Sequence, residues 1–306
     1  MGFGGVIMNS NQLKIFIEVV EMKSLSEVAR KLNIKQPTVS FHLKSLQESL
    51  AVQLFKTKSF HNVELTEAGQ ELYKYALRLT SINNEAMRAM NDYKNYNRGS
   101  VHIGATHTTA TYLVVPKIQA FKEKFNDLSI NLDVQVATKV IDLVKSYKID
   151  FGLISQVAFK DPDLNVMKVM NDNLVISFSR NHPFMEKETL VPSDLNGLPM
   201  IHHEMGSLSR MIFDDWAKEN GVNLNIKFET SGSEVIKESI MKDFGFGVLS
   251  QTLVKQSAKV IDLHYRPIPN WKTNREIYII YRKDKLLTKE LIHMIDILKD
   301  KNISHV

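Results

Sequence analysis

Gln36-Pro37-Thr38-Val39-Ser40-Phe41-His42-Leu43-Lys44-Ser45-Leu46-Gln47-Glu48-Ser49-Leu50 is the stretch whose reading constrains everything around it. Val39, Leu43, Leu46 and Leu50 recur at helical spacing. At ~100° per residue they lie within about 60° of one another and form one buried face. Pro37 opens the helix, where a missing N–H costs nothing. The other face carries Thr38, Phe41, Lys44 and Ser45, with Lys35, Gln36, Ser40 and His42 at its tip or flank. Upstream, Leu13, Phe16, Ile17 and Val20 form the stripe of a first amphipathic helix. Ser24-Leu25-Ser26 interrupts the chain, and Ser26 is the expected N-cap of a short helix with Val28, Ala29 and Leu32 inward. Asn33-Ile34 is a tight turn. Two short helices joined by a turn, the second with a polar and basic outer face, describe a helix-turn-helix whose second helix enters a DNA major groove.

Working outward, Phe41 is a large aromatic on a solvated face. Either it packs on neighbouring elements or it meets thymine methyl groups in the groove. Lys56-Thr57-Lys58-Ser59-Phe60-His61-Asn62-Val63-Glu64-Leu65 reads as a polar strand-turn-strand wing, with Lys56 and Lys58 suited to phosphates. Thr66 then N-caps a long helix free of Pro that reaches residue 97. Its apolar positions repeat every seven: Leu65, Leu72, Leu79, Ala86, Tyr93, and Ala68, Tyr75, Ile82, Ala89, Tyr96. A seam sustained this way predicts a coiled-coil dimer. The alternative is packing back on the body.

Charge is unevenly spread. Residues 9–62 hold eight Lys/Arg and four Glu, against a net charge of +5 for all 306 residues. The basic excess therefore sits in the head, as a polyanion-binding module requires. With 43% hydrophobic and 24% charged residues the chain is globular. It has no cysteine, which excludes disulfides, thiolate metal sites and a cysteine nucleophile, and suits a reducing cytoplasm. No apolar run approaches the roughly 18 residues of a membrane span. The opening Met1–Ile7 lacks the basic region of a signal peptide, and Met8 reads as the natural start.

From Gly99 the texture changes to short β-like runs alternating with helical stretches, an α/β body. Val101-His102-Ile103-Gly104 is a strand. It leads into the hydroxyl-rich Ala105-Thr106-His107-Thr108-Thr109 and a helix from Val115 to Phe125. Similar strand-to-polar-turn junctions recur at Asp150–Ser155 and Ile201–Ser207. Ligands of open α/β sheets sit at such strand ends, and hydroxyls beside free backbone N–H groups make an anion pocket. For any single hydroxyl, plain N-capping is the competing role. A final helix carries Leu291, Ile292, Ile295 and Leu298. The chain lacks a Walker loop, Gly-x-Ser-x-Gly, His-Glu-x-x-His and Gly-x-Gly-x-x-Gly, so no enzyme, cofactor or metal site is expected. His202-His203 diverge too far for a chelate, and are read as one exposed and one hydrogen-bonded histidine.

Asn11-Gln12-Leu13, Ser24-Leu25-Ser26, Ala29, Gln36-Pro37-Thr38-Val39-Ser40, Leu46-Gln47, Leu54-Phe55 and Leu65-Thr66-Glu67-Ala68-Gly69 together resemble the N-terminal pattern of LysR-type transcriptional regulators. Val101–Gly104, Pro116, Asp150–Ile154, Gly206-Ser207 with Arg210, and Gly245–Val248 extend the resemblance through the body. It implies an α/β multidomain protein with three parts. They are a winged helix-turn-helix (9–66), a linker and dimerisation helix (67–97), and a periplasmic-binding-protein-like effector domain (98–302). The last comprises two doubly wound α/β subdomains, 99–170 plus 267–302 and 171–266. It further implies a homodimer or homotetramer on promoter DNA, with RNA polymerase a further candidate partner. The effector would be a small, anionic molecule held by Thr106, His107, Thr108, Ser155, Ser207, Ser209 and Arg210. Thr106-His107-Thr108 is similar to the ligand-binding Thr-x-Thr of the family's cysteine-biosynthesis activators, which points to a sulfur metabolite or small oxyanion. The chain departs from the family pattern at Phe41 and Thr57, both commonly arginine, and at Ala51, commonly glycine. The rival readings are a solute-binding or catalytic α/β body that the head merely tethers, or a head that coats DNA without regard to sequence or contacts protein.

Overall fold

The computed structural model describes residues 8–56, 63–95 and 99–300. The expectations for Met1–Ile7, Thr57 and Lys58 fall outside the described residues. The chain divides into two compact units, 1–97 and 98–306, so the linker helix counts with the head.

In the first unit, α1 (Ser10–Met22) begins in a capping box between Asn9 and Gln12. The second helix, α2 (Leu25–Lys31), is capped by Ser24, which accepts from the Glu27 N–H at 3.3 Å. This corrects the expectation that Ser26 is the cap. A cap side chain precedes the first helical residue and accepts from an N–H two or three residues on, and Leu25 is already inside the helix, where it is buried. Asn33 takes the left-handed turn (φ 53°), a conformation its short polar side chain tolerates. The recognition helix α3 (Gln36–Leu50) buries Val39, Leu43 and Leu46, with Leu50 against the same core. Complete burial of such side chains stabilises by roughly 1.5–3 kcal/mol each. Phe55 pairs with Leu65 in an antiparallel bridge, and Lys56 N–H donates to Glu64 O, which forms the base of the wing. Thr66 caps α4 (Glu67–Asn95) by accepting from Gly69 N–H at 3.0 Å. Gly69 is required there, because a Cβ would lie 2.1 Å from the Leu54 carbonyl oxygen.

The second unit contains two five-stranded sheets of matching design. The first is built from β1 (Ser100–Ala105), β2 (Ser129–Val134), β3 (Phe151–Gln156), β4 (Leu164–Asn171) and a late strand, Glu276–Arg282. The second is built from β5 (Leu174–Ser179), β6 (Pro199–His203), β7 (Asn225–Thr230), β8 (Phe246–Ser250) and β9 (Leu263–Pro267). Numbering the late strand β10, the orders are β2-β1-β3-β10-β4 and β7-β6-β8-β5-β9. In each, three parallel strands are extended by an antiparallel pair. The chain crosses between sheets at 172–173 and again before Arg275. Ile268 and Trp271 still pack in the second core, so the return lies past Trp271 and not at Pro267.

Helices cover the sheets. α5 (His107–Thr109), a π turn (Ala110–Val114) and α6 (Val115–Lys124) form one continuous helical run. The helix therefore starts at His107, well before Val115. Pro116 cannot donate to a carbonyl one turn back, and the wider turn just before it accommodates that loss. α7 (Ala137–Lys145), α8 (Leu208–Glu219), α9 (Ser233–Met241) and α10 (Gln251–Ser257) follow, then α11 (Lys289–Lys299). In α11 Leu291, Met294, Ile295, Ile297 and Leu298 are buried, whereas Ile292 is exposed. Its position is turned ~100° from Leu291. No described helix is long and apolar enough to cross a membrane.

Candidate functional site

The outer face of α3 is laid out as its sequence requires. Gln36, Pro37, Ser40, Phe41 and Lys44 line one shallow concavity. Lys35, Thr38 and Lys44 are exposed, and Phe41 is 66% exposed. Among the described residues Phe41 packs on neither the wing nor the long helix; its one ring contact is His42, edge-on at 5.9 Å. Lys35 is the N-cap of α3 and supplies no capping side chain; Pro37 has no N–H and Thr38 N–H donates to the Lys35 carbonyl (2.9 Å), so Gln36 N–H is the first-turn donor left to an anion. Ser45 is half-buried and accepts from Gln12 at 3.1 Å, which turns it toward α1. Lys56 pairs with Glu64 at 3.2 Å, and its charge is partly offset.

Along α4, Ala68, Tyr75, Leu79, Ile82 and Ala86 belong to the heptad series; Tyr75, Leu79 and Ile82 are exposed, while Leu72 packs on the head core. The seam is thus occupied at Leu72 and open at Tyr75, Leu79 and Ile82; the expectations for Ala89, Tyr93 and Tyr96 fall outside what the structure describes.

The body holds a cavity of about 130 Å³. Its walls are the carboxyl ends of the parallel strands of both sheets: Thr106–Thr108 after β1, Gln135–Thr138 after β2, Ser155-Gln156 at the end of β3, His203 at the end of β6 with Glu204 and Gly206–Ser209 beyond it, and Gly232-Ser233 after β7. Four helical runs begin here, α5–α6, α7, α8 and α9. None of their N-caps (Thr106, Val136, Ser207, Gly232) provides a side-chain cap. Thr106 turns its hydroxyl to Thr109 (3.1 Å). Gly232 adopts φ 87°, which favours glycine, and so starts α9 against the His107 ring. Each open N-terminus carries roughly half a positive charge. Thr108 meets Ser233 across the cavity (3.4 Å). Tyr112 donates to Glu234 nearby at 2.6 Å, and burial with that carboxylate pushes the phenol up to about 12.

Thr106, His107, Thr108, Ser155, Ser207 and Ser209 all line this cavity. Arg210 does not. Its guanidinium is bound to Glu229 (2.7 Å), Asp214 (3.3 Å) and the His203 carbonyl (2.9 Å). One residue beyond Ser209 on α8, it is turned ~100° away from the cavity. The cation that does line it is Arg275, 3% exposed, together with Gln135, Thr138 and Ser233, none of which stood out in the sequence. Arg275 donates to Asp172 (2.7 Å), Ser209 (2.9 Å) and Ser155 (3.4 Å). It lies on a linker with no motif, so only its position between two strands could have marked it.

His202 and His203 are both buried, not one exposed. β6 is an interior strand covered on both faces, which buries alternate residues equally. His202 Nε2 meets Asp214 (2.9 Å) and His203 Nε2 meets the Val248 carbonyl (3.0 Å). Burial lowers both, His203 to about 3. His203 is therefore neutral with its proton on Nε2, and Nδ1 is an acceptor. Among the described residues no group of His, Asp and Glu could hold a metal ion.

The fold and these two sites define the class: a helix-turn-helix head joined by a long helix to a two-sheet solute-binding body. The comparisons with known proteins are more specific. Residues 10–70 match the bacterial regulatory helix-turn-helix protein, lysR family, and residues 94–302 match the LysR substrate binding domain. The chain is 30% identical over 284 residues to a "Probable RuBisCO transcriptional regulator" of Cyanidium caldarium, covering 91% of this chain and 89% of that one. A full-length OxyR variant from Pseudomonas aeruginosa shares the fold at TM-score 0.63 and 19% identity, over 96% and 94% of the two chains. The CcmR regulatory domain of Synechocystis PCC6803, solved in complex with 2-PG, matches at TM-score 0.59 and 22% identity, over 66% of this chain and 96% of that domain. The protein belongs to the LysR family of DNA-binding transcriptional regulators.

Proposed function

We propose that this regulator binds promoter DNA in the cytoplasm as a dimer, or a tetramer of two dimers, and that a small anionic effector in the body cavity controls its affinity or its bending of the DNA. The reading rests chiefly on the four uncapped helix N-termini and Arg275 that converge on one cavity. Such an arrangement stabilises negative charge without requiring a metal or cofactor. The 2-PG complex of the CcmR domain supports a small-molecule ligand at this kind of domain. The hydroxyls of Thr106, Thr108, Ser207 and Ser209 favour an oxyanion, a sulfur metabolite included. In the head, the α3 face from Gln36 to Gln47 reads bases, and Lys35, Lys44, Lys56 and Lys58 hold phosphates. The open seam of α4 joins two heads, which sets a two-part site. An effector acts only to the extent that it binds one arrangement of the heads more tightly than another.

Genome-wide occupancy mapping with footprinting, with and without cell extract metabolites, tests this. Protection confined to a few promoters and altered by a metabolite fraction is the expected result. Thr106→Ala should lose the metabolite response. Uniform coverage of DNA, or an unaltered response in Thr106→Ala, would refute the reading.

A further inference from the structure

The one arginine lining the cavity is also the residue that ties the two crossovers between the sheets. Asp172 lies on the first crossover and Arg275 on the second. They form an ion pair at 2.7 Å with both side chains at least nine-tenths buried. Asp172 N–H also donates to the Arg275 carbonyl (2.9 Å), so the crossovers are stapled through both backbone and side chain. The carboxylate of Asp172 takes two further donors from the start of α10, the Ser250 hydroxyl (2.6 Å) and the Thr252 N–H (3.1 Å). Arg275 spans the cavity in the other sense. Its Nη2 reaches Ser155 of the first sheet and its Nη1 reaches Ser209 of α8. Its Nε–H is buried and has no acceptor among the described residues. A guanidinium offers two edges, each of which can hold a carboxylate or phosphate through two parallel bonds. Here one edge lacks half its complement, and a buried unsatisfied donor is costly.

We propose that Arg275 is the residue that reads the effector's charge, and that the anion's oxygens compete with Asp172 for the guanidinium, so that ligand binding rebalances the staple between the crossovers. This rests on the reading of the cavity as the effector site. Asp172 is a positioning residue: without ligand it holds the fork in place and limits anion affinity. Glu204, at the cavity wall, adds a second negative charge. The ligand class is therefore a compact oxyanion able to offer two oxygens at once, whether carboxylate, sulfate or phosphate.

The chain's two tryptophans report on this region. Trp271 packs on the second core just before the second crossover, and Trp216 Nε1 donates to the Pro269 carbonyl (2.8 Å). The full-length protein is titrated with sodium sulfate, sodium phosphate or sodium malonate against sodium chloride at matched ionic strength, with tryptophan emission and melting temperature as readouts. The expected result is a saturable change with at least one oxyanion, at least tenfold weaker apparent affinity in the Asp172→Asn/Arg275→Gln double variant, and tighter affinity in Asp172→Asn alone. The last sign is one a merely structural role for Asp172 would not produce. If the double variant does not fold, Arg275→Lys decides, because it keeps the charge but loses the fork; the same tenfold loss is expected. An unchanged affinity in these variants, with a response that Thr106→Ala still abolishes, would overturn the proposal and leave the cavity reading intact. No oxyanion response in the unaltered protein would overturn both.

Discussion

Lys44 offers the sharpest test of how the head meets DNA. It sits on the exposed face of α3 beside Phe41 and makes no ion pair with the described residues. Removing it should therefore cost the fold little, since isolated surface changes fall within about 0.5 kcal/mol. Its contribution belongs to counterion release. Each neutralised phosphate contributes about 0.9 to the slope of log K against log salt, so two heads contribute about 1.8. Between 50 and 200 mM salt the Lys44→Ala dimer should thus lose about 12-fold less affinity than the unaltered protein. The assay is fluorescence anisotropy on a duplex that the protein itself selects from a random pool, at five salt concentrations across that interval. Lys259→Ala, an exposed lysine of the body, serves as the comparison and should leave the slope alone. A Lys44→Ala slope equal to that of the unaltered protein would mean that this face does not follow the backbone, and the docking of α3 would have to be redrawn. A parallel drop in affinity at every salt, with no change in slope, would assign Lys44 to a base rather than a phosphate.

Three further outcomes are expected. Ala51 closes α3 in the left-handed region (φ 51°), so Ala51→Gly should stabilise the head by about 1 kcal/mol, read as a higher melting temperature; a lower one would refute the strain. Replacing Leu79 and Ile82 with Glu should leave monomers in sedimentation velocity at micromolar concentration, because both lie exposed on the heptad seam; persistent dimers would place the association elsewhere. The third concerns pH. Burial holds the folded pKa of His203 near 3, below the ordinary 6.5. The unfolded chain therefore binds a proton that the native state refuses as pH falls below about 6.5, and stability contributed by the neutral ring is lost across the window from about 6.5 to 3. At pH 5 the loss from this residue amounts to about 2 kcal/mol. Denaturant melts at pH 7 and pH 5 should show that much more loss in the unaltered protein than in His203→Asn, and equal losses would show that the ring titrates normally.

The head was legible because its information is local. Val39, Leu43 and Leu46 mark the buried face by spacing alone, and what they leave outward is the face proposed to meet DNA. The missed cap at Ser26 shows the limit of that logic: two serines two residues apart are equally good caps, and only the demand for Leu25 inside the core chooses between them. The body was legible as a rhythm of strand, polar turn and helix. What the rhythm could not provide was long-range partnership. Arg210 and Arg275 are both arginines near polar residues, but Arg210 meets Glu229 on a nearby strand while Arg275 meets Asp172 from more than a hundred positions away. The orientation of the histidine pair depends likewise on β6 being an interior strand, which follows only from the order of the sheet.

Helix caps carry the remaining argument. From sequence, a Ser or Thr before a helix has an ordinary role, closing its own first turn, and no single hydroxyl can claim more. The structure separates the cases. Asn9, Ser24, Thr66, Ser250 and Thr288 accept from their own helices. Lys35 at the recognition face, and Thr106, Val136, Ser207 and Gly232 at the cavity, do not. If capping were governed by local chemistry alone, Thr106 and Ser207 would have closed their helices as Thr66 and Ser250 do. The helix starts left open instead sit at the two places where an anion is expected, a DNA phosphate at one and the effector at the other. Leaving a start uncapped costs about 1 kcal/mol of helix stability each time. A bound anion recovers that cost by satisfying the same N–H groups, which makes the stability of the body itself depend on its ligand.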